Sequence, residues 1–240
     1  MIAKTRALFF YSLYGPLAAL FSTLAVLLWP LPFRLRNQIA LCWNRFSVWW
    51  LRLTCGVRYE IVGAENIPKG PYVVLAKHQS QWETLFLQYY FAPLSTILKQ
   101  ELLRIPFFGW GLATLRPIAI DRSNPREALK QVKTLGLKRL SEGNNILVFP
   151  EGTRVPAGKT GKYARSGADV ACSAGVPVVP VAHNAGFYWP AHQLIKYPGK
   201  VTVSIGKPID TQGKNSREVT QEVESWIEAE VADISPAKSA

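Results

Sequence analysis

From Ala7 to Phe33 the chain carries no charged residue. That run exceeds the roughly 20 apolar residues that cross a bilayer core. Lys4 and Arg6 supply the basic start of a secretory signal, yet the run is long for a signal and no small-x-small cleavage site clearly follows it. It therefore reads as a retained membrane anchor. Pro30 and Pro32 break the helix, and residues 38–54 form a second, aromatic-rich segment with Trp43, Phe46, Trp49, Trp50 and Leu53. Their three- and four-residue steps, interrupted by Arg45 and Arg52, are those of an amphipathic helix lying on a surface. Lys4 and Arg6 precede the first run and Arg34 and Arg36 follow it, so charge gives no strong direction. A helix-turn-helix that dips into one leaflet keeps all these residues on the cytoplasmic side; a single spanning helix is the alternative. The expected location is the inner membrane of the cell, with the rest of the chain on its cytoplasmic face.

The charge balance agrees with a membrane setting. The 240 residues carry a formal net charge of +12 and a pI of about 9.8, which favours an anionic partner. Eight Trp and nine Tyr tilt the choice toward a lipid interface. No zinc-type Cys/His spacing and no compact run of Lys and Arg marks a nucleic-acid module, so no nucleic-acid partner is expected. Cys42, Cys55 and Cys172 are scattered, which fits a reducing compartment without a disulfide framework.

Beyond residue 56 short apolar runs alternate with helical patterns. Strands are expected at Val57–Val62, Tyr72–Leu75, Leu115–Ile120, Asn145–Phe149, Val176–Val181 and Val201–Ile205. The Val176–Val181 run contains Pro177 and Pro180 and is expected at an edge or as an irregular strand. Helices are expected over Leu85–Phe91, from Pro125 to about Ser141, and from Tyr163 to Ala174. Asn215 followed by Glu218 opens a final helix with Val219, Val223, Trp226, Ile227 and Val231 on one face. The fold class is α/β: a mixed sheet flanked by helices, preceded by a membrane-associated helical segment. The expected division is 1–56 anchor, 57–234 α/β domain and 235–240 tail.

Polar groups gather at three strand ends: His78 with Glu83, Asp121 with Arg122, and Glu151-Gly152 with Arg154. Ligands of α/β sheets bind outside the strand ends, so these groups are placed to share a pocket. His78 lies on the loop after a strand and Glu83 in the first turn of the next helix. The chain can fold back there, letting the carboxylate accept from one imidazole nitrogen and leaving the other as a general base. His183 and His192 lack such a paired acid, and His183 is read as structural or pocket-lining. The carboxylates and histidines show no ligand spacing, so no metal is expected.

These motifs resemble those of the glycerolipid acyltransferase family, and most of all its members that acylate 1-acylglycerol-3-phosphate. The family's histidine, four residues and an acid stand here as His78-Gln79-Ser80-Gln81-Trp82-Glu83. Its second motif stands as Arg116-Pro117-Ile118-Ala119-Ile120-Asp121-Arg122, its third as Phe149-Pro150-Glu151-Gly152-Thr153-Arg154 and its fourth as Val176-Pro177-Val178-Val179-Pro180. Lys99-Gln100-Glu101-Leu102 and Ile105-Pro106-Phe107-Phe108-Gly109-Trp110 match a further stretch, and the likeness runs over residues 70–210. The chain departs from the pattern in carrying Glu83 where aspartate is usual, and Pro117-Ile118-Ala119 where an aromatic often precedes Ile-Asp-Arg.

The resemblance implies acyl transfer from a thioester, acyl-CoA or acyl carrier protein, to lysophosphatidic acid, with no cofactor beyond that co-substrate. It implies His78 as general base, Glu83 as its orienter, and Arg122, Glu151 and Gly152 at the glycerol-phosphate. Arg154 and Lys99 join them as phosphate candidates because of their charge. Backbone N–H groups near Gly152 are candidates for the oxyanion. Acylation of another lysophospholipid or of glycerol-3-phosphate, lipid hydrolysis, and plain binding of anionic membrane lipids are the competing readings.

Overall fold

The computed structural model describes residues 2–236; the last four positions of the expected tail lie outside the described residues. The charge-free run forms α1 (Ile2–Leu27), and Pro30 and Pro32 sit in the turn that leads to α2 (Phe33–Cys55). The second helix thus begins at Phe33, five residues before the expected start at residue 38, with Pro32 at its N-cap position and the Pro32 carbonyl accepting from the Arg36 N–H at 3.3 Å. The two helices pack as a hairpin: Trp50 Nε1 donates to the Phe10 carbonyl at 3.1 Å, and Phe10 stacks on Tyr14 at 5.0 Å. Among the described residues α1 is the helix long and apolar enough to cross a membrane. Leu8, Phe9, Leu20, Leu27 and Trp29 stand exposed on the hairpin.

Gly56 ends α2 in the left-handed region at φ +73°, its N–H returning to the Arg52 carbonyl at 3.1 Å. A side chain there would also crowd Pro198. The chain turns directly into β1 (Val57–Val62), so the hairpin is fastened to the sheet without a linker. The remaining elements are β2 (Val73–Ala76), α3 (Trp82–Tyr90), β3 (Leu94–Lys99), α4 (Phe108–Thr114), β4 (Ile118–Ile120), α5 (Pro125–Ser141), β5 (Asn145–Val148), α6 (Ser166–Ala174), β6 (Val178–His183), β7 (Gly199–Ile205) and α7 (Ser216–Ile234).

The seven strands form one mixed sheet in the order β1-β7-β6-β2-β5-β3-β4. Every pairing is parallel except β6 with β7. In β2 all residues are buried, as a strand covered on both faces requires. Its alternate residues divide between two cores: Val74 and Ala76 pack with Phe10, Trp50, Trp82 and Phe86 of α1, α2 and α3, while Val73 and Leu75 pack with Val132, Val170, Val223 and Ile227 of α5, α6 and α7. The molecule is therefore helix, sheet, helix in section.

The proline-bearing strand β6 is central, not an edge: it pairs with β2 on one side and β7 on the other. Pro180 is tolerated because the ladder to β7 starts only at Val181, opposite Ile205. Its missing N–H costs no ladder bond there, and its carbonyl still accepts from Gly206 at 2.9 Å.

Candidate active site

Because β2, β3, β4 and β5 run parallel, their C-terminal ends open on one side of the sheet, and a cavity of about 970 Å³ lies there. His78 follows β2, Lys99 ends β3, Arg122 follows β4, and Glu151, Gly152 and Arg154 follow β5; all six line this cavity. Glu83 does not. It is fully buried behind His78.

The short loop from His78 to Gln81 folds around the Glu83 carboxylate. Glu83 Oε1 accepts from the Gln79 N–H at 3.0 Å and the Ser80 N–H at 2.8 Å, and lies 2.9 Å from His78 Nδ1. Ser80 Oγ in turn accepts from the Trp82 N–H at 3.1 Å, which closes the first turn of α3. Burial pushes the Glu83 carboxyl up, but His183, His78 and the Ser80 N–H together outweigh it and hold the carboxyl below its ordinary range. An ionised Glu83 keeps the hydrogen of His78 on Nδ1. His78 Nε2 makes no hydrogen bond among the described residues and is the nitrogen available to the cavity. The ring is fixed further by stacking on Phe149, with centroids 4.0 Å apart and planes 17° from parallel. The Val155 N–H donates to the His78 carbonyl at 2.8 Å, so the loop after β5 closes over this turn.

The basic groups are not equivalent. Arg122 reaches across to the Gly152 carbonyl. Lys99 is half-exposed and pairs with Glu101 at 3.1 Å. Arg154 Nε is buried without a hydrogen-bond partner, a donor that a bound anion would satisfy. Gly152 adopts φ +69° and gives its own N–H to the Phe149 carbonyl at 3.0 Å, so that N–H is not free for an oxyanion. Glu151 touches the cavity, but both its oxygens are committed to Lys77, His78 and Gly161. His183, read from sequence as structural or pocket-lining, is fully buried and does not line the cavity, whereas His192 lies on the cavity wall. Among the described residues no group of three His, Cys, Asp or Glu is arranged to hold a metal ion.

The apolar end of the cavity runs along the helical hairpin. Ala18, Ser22 and Ala25 of α1 and Ala40 and Asn44 of α2 line it together with Leu112 and Leu115. A basic mouth, a histidine–carboxylate pair and a long apolar groove suit an amphiphile with an anionic head and a hydrocarbon tail.

The Acyltransferase family model matches residues 58–184, the segment that carries all of these groups outside the hairpin except His192. The chain belongs to the acyltransferase family. It is 49% identical to the 1-acyl-sn-glycerol-3-phosphate acyltransferase of Pseudomonas aeruginosa over 98% of this chain and 93% of that protein. It is 31% identical to the Saccharomyces cerevisiae enzyme of the same name over 68% of this chain and 55% of that one. Its fold matches the crystal structure of the 1-acyl-sn-glycerophosphate acyltransferase PlsC of Thermotoga maritima with a TM-score of 0.80 and 26% identity, covering 98% and 97% of the two chains.

Some groups that shape this acyltransferase's site escaped the sequence reading. Tyr14 of the hairpin lines the cavity and accepts from Gln81 Nε2 at 2.8 Å. The motif spacing gave no sign of it, since the partners are 67 positions apart. Lys77 did offer a signal: a lysine placed directly after four buried strand residues must find a partner or be expelled.

Proposed function

We propose that this acyltransferase moves a fatty acyl group from acyl-CoA or acyl carrier protein to the sn-2 hydroxyl of 1-acylglycerol-3-phosphate, giving phosphatidic acid for phospholipid synthesis. The observation that carries the reading is the His78 Nδ1–Glu83 contact of 2.9 Å at the mouth of an apolar groove rimmed by Arg122, Arg154 and Lys99. The names of the relatives support the acceptor.

In this reading His78 Nε2 takes the proton of the acceptor hydroxyl as its oxygen attacks the thioester carbonyl. Glu83 holds the ring in the reactive tautomer and stabilises the imidazolium that forms. The tetrahedral intermediate collapses with cleavage of the carbon–sulfur bond; the ester remains, and the departing thiolate takes the proton held on His78 Nε2, which restores the base. No acyl-enzyme is required, because the thioester is already activated. Arg122, Arg154 and Lys99 receive the phosphate, Arg154 through its unpaired buried Nε, while Glu151 and Gly152 build the wall beside it. The α1–α2 hairpin seats the groove at the membrane on its cytoplasmic side, where a lysophospholipid reaches it from the lipid.

The test is transfer of labelled acyl groups from acyl-CoA and from acyl carrier protein to 1-acylglycerol-3-phosphate in detergent, with wild type and His78→Ala. Phosphatidate from wild type, and a loss of about 10²–10⁴-fold or more in the variant, is the expected result. Near-full activity in His78→Ala would end the mechanism, and no phosphatidate from either donor would redirect the search to another acceptor.

A further inference from the structure

Lys77 and His78 follow β2 and, as successive residues of an extended chain, point to opposite faces of the sheet. His78 faces the cavity. Lys77 faces the other core and is fully buried there. Its three ammonium donors meet three acceptors: Glu151 Oε1 at 2.7 Å, Glu228 Oε1 at 2.7 Å and the Lys159 carbonyl at 3.1 Å. Glu228 belongs to α7, outside the segment that the family model matches.

Two carboxylates against one ammonium leave this cluster with an excess negative charge. Neutral donors offset it: Tyr163 Oη and Thr160 Oγ1 each donate to Glu228 at 2.8 Å, and the Gly161 N–H donates to Glu151 at 3.1 Å. Burying ions in this way is a poor route to stability, since an apolar cluster of the same volume does as well or better. What the cluster gains is a fixed position for Glu151, whose second oxygen accepts the His78 N–H at 2.9 Å.

The same peptide bond is held from its other edge. The Lys77 carbonyl accepts from His183 Nε2 at 2.8 Å, while His183 Nδ1 accepts from the Ala185 N–H at 3.3 Å. These two contacts fix the hydrogen of His183 on Nε2. Both edges of the Lys77–His78 peptide therefore end on side chains that are themselves anchored, and the plane of that peptide sets where the His78 Cα–Cβ bond points. An error of about 1 Å at a reacting group can cost about 10²-fold in rate.

We propose that Glu228 and His183 are positioning residues for His78, and that the last helix is thereby part of the catalytic apparatus. Glu228 acts through the Lys77–His78 peptide; His183 acts through that peptide and through Glu83, whose Oε2 lies 4.0 Å from His183 Nε2. The proposal rests on His78 being the general base. Its test uses the full chain in detergent with the thioester donor that wild type turns over and 1-acylglycerol-3-phosphate. Glu228→Gln and His183→Gln are expected to lower kcat about 10- to 100-fold while both KM values hold. Tyr163→Phe, which removes one hydrogen bond to Glu228 and keeps the ring, is the milder companion should Glu228→Gln fold poorly; its expected loss in kcat is about two- to tenfold. On a His78→Ala background Glu228→Gln should change the residual rate little, because the group it acts through is gone.

Folded Glu228→Gln, His183→Gln and Tyr163→Phe proteins with wild-type kcat, differing only in thermal stability, would overturn the proposal and leave His78 as base. Additive losses in the double variant would overturn it too. A His78→Ala protein with wild-type activity would instead remove the base reading, and this proposal with it.

Discussion

Gln81 Nε2 donates to Tyr14 Oη at 2.8 Å, joining the loop that carries the histidine–carboxylate pair to the middle of the N-terminal helix. The N-terminal hairpin is thus a wall of the cavity that His78 lines. Lys196 reinforces the junction: its ammonium is buried 3.6 Å from the Tyr11 ring and 4.7 Å from that of Trp189. Burial lowers its pKa to about 8.

Tyr14→Phe tests that junction with little change in shape. The lost hydrogen bond is worth about 0.5–1.5 kcal/mol, and if it acts on the geometry of the loop then kcat falls by up to about tenfold. Steady-state kinetics beside a melting curve in detergent separates the two effects. An unchanged kcat with a lower melting temperature would make the contact a docking one alone.

Glu83 makes three contacts through one oxygen, and its replacements should differ in kind. Glu83→Gln keeps the length but removes the charge that, in the proposed mechanism, steadies the imidazolium, so kcat should fall by about 10²–10⁴-fold. Glu83→Asp keeps the charge but, one methylene shorter, cannot hold Gln79, Ser80 and His78 at once; its loss should be smaller, about 10- to 100-fold. The order of the two variants is the check. Aspartate worse than glutamine would mean that reach matters more here than charge.

Much of this was legible from local pattern. β1 spans Val57–Val62 and α5 spans Pro125–Ser141, as their alternation and capping signals required. Asn215 and Glu218 close the reciprocal cap that opens α7. That Arg122, Glu151, Gly152 and Arg154 border one cavity accords with the expectation that polar groups at the strand ends share a pocket, whereas Lys99 was singled out for its charge alone. What local pattern does not carry is pairing across the sheet. Lys77 and Glu228 are 151 positions apart, and only the alternation of β2 with the packing of α7 on its far face brings them together. The central place of β6 was hidden for a related reason: a proline argues for an edge unless the neighbouring strand stops beside it, as β7 does at Ile205.

The apolar groove makes a prediction about chain length. Ala25 is fully buried and lines the cavity next to Ser22 and Ala18. Ala25→Phe should shorten the groove and shift preference toward shorter acyl groups. Each methylene that no longer fits is worth about 0.8 kcal/mol, or about fourfold in selectivity. Competition among a ladder of saturated acyl thioesters and lysophosphatidates reads the shift. If the ring instead displaced its neighbours, stability would drop by about 1–3 kcal/mol with selectivity unchanged.

His183 predicts an acid-side weakness. Burial holds its pKa below the ordinary 6.5, so the folded chain keeps it neutral where the unfolded chain takes up a proton. Below pH 6.5 the unfolded state therefore binds more protons than the folded one, and stability falls with pH until the lower, folded pKa is passed. The loss from this one group is at most about 1.4 kcal/mol per pH unit. Glu83 and Glu228 are both held below the ordinary carboxyl value of 4.5, so their contributions are lost only in more acid solution. Denaturant melts between pH 6.5 and 5 therefore single out the histidine. Wild type should lose stability across that window, and His183→Gln, which keeps an N–H donor for the Lys77 carbonyl but does not titrate, should lose less. Equal slopes for the two proteins would show that His183 takes up its proton in the folded chain over the same pH range as in the unfolded one.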